Sequence, residues 1–198
     1  MFGSLLLLSL ETERARLWMW ESFCIIRKFP GLKICVDKRY RTGVGPLCDV
    51  CMFTKQYLET KHGGKLMATR IFLMQQKVDW KHPHRILLGF TRRLPHDRSY
   101  IFVDVGLAKP FWRSAEDAHL HPLFLRNVFE TLTHEIVHNL FPTLDEQDVQ
   151  SRAKKELREM MSDIAELRID VPNQFWIQVA DFILNPSKYI TESRPQRI

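Results

Sequence analysis

The pentapeptide His134-Glu135-Ile136-Val137-His138 constrains this chain more than any other stretch, because its chemistry works on one kind of backbone. In an α-helix, residues four apart differ by roughly 40° about the axis and stand about one turn apart, so both imidazoles can reach one metal ion. Glu135 then lies roughly 100° from His134, beside such an ion. His-Glu-x-x-His on a helix is the arrangement in which two neutral imidazoles hold zinc and the carboxylate takes a proton from a water on the metal. The flanking residues agree with a helix. Across residues 124–141, Leu125, Val128, Phe129, Leu132, Ile136 and Leu140 share a face roughly opposite the two histidines. That face is expected in a core, and His134, His138, Thr131 and Glu135 on the other side. Pro142 stops the helix four residues past His138, where a loop can complete the site.

A catalytic zinc keeps three protein ligands and one open position, and two histidines with one carboxylate is a known set. On a helical projection of residues 146–167, Glu146 lies near the middle of the stripe formed by Val149, Ala153, Leu157 and Ile164, toward the protein body. Asp148, Glu159 and Glu166 point the other way. Glu146 is therefore the expected third ligand, with Asp145 as the helix N-cap. Two alternatives stay open. Thr143-Leu144-Asp145-Glu146 also fits a capping box in which Glu146 bonds back to Thr143, and Asp163 or a loop histidine, His119 or His121, can replace Glu146 as ligand.

The rest of the chain reads as a sheet before helices. Residues 5–28 contain no Gly or Pro and predict a helix closed by Phe29-Pro30-Gly31. Residues 32–36 have strand character, 42–46 read as a turn and 55–60 as a short helix. Residues 65–75, 85–91 and 100–107 predict three strands, the last with Ile101, Val103 and Val105 alternating against Phe102, Asp104 and Gly106. Helices follow over 145–167 and 172–184. This order predicts an α+β fold with a small, mainly antiparallel sheet packed on helices. Its 198 residues suffice for one domain with a full core. We divide the chain into an N-terminal helical and irregular extension, 1–62, and a domain carrying the site, 63–198.

Charge and cysteines are unevenly placed. Residues 1–110 hold 19 Lys+Arg against 9 Asp+Glu, and residues 111–198 hold 10 against 14. The basic half offers a surface for weak nucleic-acid binding or another acidic partner. Cys24, Cys35, Cys48 and Cys51 include one C-x-x-C; they read as reduced, partly buried thiols, with a second structural zinc site as the alternative. The run Leu5 to Leu8 is too short for a membrane span or signal core and is followed at once by Glu11 and Glu13. A cytoplasmic protein without a membrane segment is expected.

The strand-like run over 100–107, the helix bearing His134-Glu135-Ile136-Val137-His138 and the connector Leu140-Phe141-Pro142-Thr143-Leu144-Asp145-Glu146 together resemble the zincin superfamily of metallopeptidases. More narrowly, the chain is similar to small zincin-like proteins of phages and microbes, with SprT-like proteases more distant. The resemblance covers roughly residues 99–165. It implies zinc at His134 and His138, Glu135 as general base, and a peptide or protein substrate. The extension H-E-x-x-H-x-x-G-x-x-H is missing, since residues 139–145 offer neither that glycine nor that third histidine. Two function classes follow: a zinc metallopeptidase, or a non-catalytic zincin-like binding or regulatory protein contacting nucleic acid or a protein partner. Glu135 favours the first, because a purely structural zinc site does not need a carboxylate at that position.

Overall fold

The computed structural model describes residues 23–29, 31–37, 45–63, 68–74, 77–78, 86–87, 89–94, 98–104, 122–171 and 175–190. Five strands form one sheet in the spatial order β1 (Phe23–Phe29), β2 (Leu32–Asp37), β3 (Ala68–Met74), β7 (Arg98–Asp104) and β6 (Gly89–Leu94). A separate ribbon pairs β4 (Lys77–Val78) with β5 (Ile86–Leu87). Helices α1 (Gly45–His62), α2 (Pro122–Leu140), α3 (Glu146–Ala165), α4 (Phe175–Leu184) and α5 (Pro186–Ile190) complete an α+β fold.

The strands are rich in β-branched and aromatic residues, and their period of two sorts side chains to opposite faces. Ile34, Val36, Ile71, Leu73, Ile101 and Val103 face the helices and share the main core with them. Cys35, Phe72, Met74 and Phe102 lie on the other face in a second cluster, where the Phe102 ring stacks between Phe72 and Phe90.

Three expectations need correction. The sheet is mixed rather than mainly antiparallel: β1–β2 and β6–β7 are antiparallel, whereas β2–β3 and β3–β7 are parallel. The connection from β2 to β3 contains the 18-residue helix α1, of which residues 55–60 are only the last part, and a helix of that length carries the chain back for a parallel crossover. Residues 23–28, expected to end a helix, are strand β1. Phe23-Cys24-Ile25-Ile26 suits a strand, pairing with β2 runs from Phe23↔Asp37 to Phe29↔Leu32, and Gly31 at φ +71° turns the chain between them. Residues 5–22 of that expected helix lie outside the described residues. Finally, residue 62 marks no break in the core, because Leu32, Ile34, Leu47, Cys48 and Leu58 pack with Leu132, Ile136 and Met160.

Helix α2 is the hub. It touches β6 and β7 on one side and α1, α3 and α4 on others, so most of its circumference is covered. Among the described residues, no helix is long and apolar enough to cross a membrane.

Candidate metal centre

Helix α2 begins with Pro122 in its first turn, where proline's missing N–H costs nothing, and contains no glycine or further proline before Leu140. Leu125, Val128, Phe129, Leu132 and Ile136 are buried in the main core, as their spacing requires. His134 and His138 stand half-buried on the opposite side.

The turn after α2 brings in the third group. Phe141 N donates to Val137 O, and Phe141 and Leu144 close over Val137, Val149 and Ala153, clamping the start of α3 against α2. The cap of α3 is Asp145, whose Oδ1 accepts from Asp148 N at 2.8 Å. Glu146 is thus the first residue of the helix and not the acid of a capping box. Its carboxylate reaches back to α2, with Oε1 3.1 Å from His134 Nε2 and Oε2 3.2 Å from His138 Nε2. Its side chain remains 73 % exposed, leaving solvent access to the group it completes.

The two Nε2 atoms are 3.1 Å apart, so three electron-pair donors surround one point. With Glu146 as a carboxylate, no arrangement of protons makes all three contacts attractive. If both imidazoles donate to Glu146 their N–H groups oppose each other; if one donates to the other, the bare ring nitrogen faces a carboxylate oxygen. A cation at the centre satisfies all three. A tetrahedral zinc with ligands at roughly 2.0–2.1 Å spaces its ligand atoms about 3.3 Å apart, and the observed spacings fit that figure. Burial pulls the His134 pKa down, with Glu146 raising it and His138 lowering it, and the net reduction favours the neutral ring that a metal ligand presents.

Glu135 departs from the expectation of an open face. Because α2 also packs on β6, Glu135 is only 5 % exposed. Gly89, Thr91 and Arg93, alternate residues of β6, turn toward the helix. A Cβ on Gly89 would stand 2.5 Å from Thr131 Cγ2 and 3.2 Å from Glu135 Cγ, so only glycine lets the strand come this close. Thr91 Oγ1 donates to Glu135 Oε2 at 2.8 Å, with a longer contact to Glu135 O. Arg93 Nη2 donates to His138 O at 3.1 Å, placing a cation near the carbonyl end of the helix. Burial raises the Glu135 pKa to about 7, the Thr91 hydrogen bond pulling it down and Glu146 pushing it up.

Thr91, Gly89 and Arg93 were not singled out in the sequence; their faint signal is that alternate positions of this strand carry no apolar side chain. Asp163, the alternative ligand, lies elsewhere. It accepts from Tyr57 Oη at 2.7 Å and from Arg168 at 3.5 Å, and lines a groove of about 750 Å³ between α1 and α3 that contains none of the three converging residues. His119 and His121 lie outside the described residues. Cys35, Cys48 and Cys51 are buried thiols, and burial, then Cys48 and Asp49, push the Cys51 pKa well up, the reverse of a thiolate ligand. The side chain of Cys24 lies outside the described residues, among which His134, His138 and Glu146 form the one cluster able to hold a metal. Comparison of the chain with protein-family models, curated proteins and solved structures gives no match.

Proposed function

We propose that the protein is a zinc-dependent peptidase of zincin type, with His134, His138 and Glu146 as ligands and Glu135 as general base. The observation that carries this reading is the convergence of three ligand atoms at 3.1–3.2 Å, with a buried carboxylate adjoining one of them on the same helix. A zinc ion bound there would supply Lewis-acid polarisation of a scissile carbonyl and of the attacking water.

The remaining work falls to the chain itself. Glu135 accepts the water's proton and delivers it to the leaving nitrogen, a task suited to a buried carboxylate one residue from a histidine of the centre. Thr91 fixes one of its oxygens. Among the described residues β6 pairs on one side only, with β7, so its outer backbone groups can hold an extended peptide beside the site.

Zinc quantification with a turnover assay tests the proposal. The wild type is expected to hold one zinc per chain, and His134→Ala and His138→Ala to lose it. Glu135→Gln keeps zinc and fold but does not cleave casein or itself, because the amide cannot accept the proton. Equal turnover by wild type and Glu135→Gln overturns the catalytic role; full zinc in both histidine variants overturns the centre.

A further inference from the structure

The sheet register draws a line of four cations and one tyrosine across five strands. Lys28 pairs with Lys33, Lys33 with Arg70, Arg70 with Tyr100, and Tyr100 with Arg92. Cross-strand partners project from the same face, so these five side chains form one row spanning four strand spacings, about 19 Å. The Arg70 guanidinium lies 5.4 Å from the centre of the Tyr100 ring, as neighbours on one face do. This face is turned away from α2, since Ile34, Ile71 and Ile101, each next to a member of the row, enter the helix-side core. Lys28 and Lys33 are exposed, and Arg70, Tyr100 and Arg92 half-buried.

Like charges on directly opposed strand positions repel, and here Lys28 and Lys33 stand opposite each other on adjacent strands. The acids on this face among the described residues, Asp37 and Asp104, are buried and sit four positions further along their strands. We infer that the row is a binding surface for single-stranded nucleic acid, its cations meeting phosphates and Tyr100 offering a ring to a base. The aromatic ring within the row distinguishes this ligand from an acidic protein, and a row of side chains on a sheet suits an unpaired strand better than a duplex, whose major groove admits a protruding helix or ribbon. The surface lies across the sheet from the metal centre and does not depend on it.

Fluorescence anisotropy of the full chain with a labelled oligothymidine tests this. Binding is expected at low salt, unchanged by EDTA or by Glu135→Gln. Lys28→Glu with Lys33→Glu should weaken it at least tenfold and reduce the salt slope by about 1.4, two phosphate contacts on a single strand. Lys154→Glu with Lys155→Glu, the same charge change at exposed positions of α3, should leave both the row and its affinity intact. Tyr100→Leu should lose about tenfold and Tyr100→Phe almost nothing. Absence of binding at low salt, equal losses in the two double variants, or equal competition by polyglutamate, anionic vesicles or duplex DNA overturns the assignment.

Discussion

At Glu146 a single exposed side chain closes the centre, and its two possible roles have different energetic signatures. A helix-capping acid contributes about 1 kcal/mol to stability whether or not metal is present. A ligand contributes only when metal is bound. Since the cap is already supplied by Asp145, Glu146→Ala is expected to lower zinc affinity at least tenfold in chelator competition, while the melting temperature of the zinc-free protein stays nearly constant. Leu167 offers a second residue-level test. It follows α3 at φ +55°, with its N–H bonded to Ile164 O and the Arg168 N–H to Asp163 O, and it is 66 % exposed. Glycine tolerates this backbone better than leucine and little burial is forfeited, so Leu167→Gly should stabilise the protein by about 1 kcal/mol in urea unfolding.

Between elements, the contact that shapes the site is β6 against α2. Gly89 permits it and Thr91 uses it. An added methyl at Gly89 meets the Thr131 side chain at 2.5 Å and the Phe102 carbonyl at 3.0 Å, and the latter is backbone that yields poorly. Gly89→Ala is expected to cost about 1–3 kcal/mol and to part Thr91 from Glu135. On the proposed function, zinc content should persist while turnover falls, because the three residues proposed as ligands sit on α2 and α3; loss of zinc together with turnover would show that β6 supports those residues as well.

For the whole molecule, the buried acid Glu156 ties α3 to α1. Lys61 Nζ bonds it at 2.7 Å and His62 Nε2 lies at 3.0 Å, and Lys61 also bonds Glu159. Burial would raise the Glu156 pKa, but Lys61 and His62 outweigh it and the net shift is downward from 4.5. A folded pKa below the unfolded one means stability that is present above about pH 4.5 and lost as pH falls through the folded value. Lys61→Met removes the main partner and leaves the acid buried, so stability at pH 7 should drop by about 1–3 kcal/mol. The acid-side loss expected of the wild type should shrink or reverse in the variant. Urea unfolding at pH 7, 5 and 4 reads both effects, and parallel curves for the two proteins would sink the linkage.

Local patterning determined the parts of this protein that depend on near neighbours. The i, i+4 histidines, the apolar stripe of α2, the stop at Pro142 and the Asp145 cap are all read within one or two helical turns, and each element stands near its expected place. The approach of Glu146 to the two histidines was legible for the same reason: eight residues from His138, it lies just past a short turn. Tertiary structure decided what depends on distant pairing. The parallel register of β2, β3 and β7 rests on the return path through α1, and β1 exists because β2 is beside it. The burial of Glu135 and its bond from Thr91, 44 positions away, follow from β6 lying against α2. A period of 3.6 or 2 fixes which side chains share a face of an element, whereas what covers that face is settled only when remote segments pack on it.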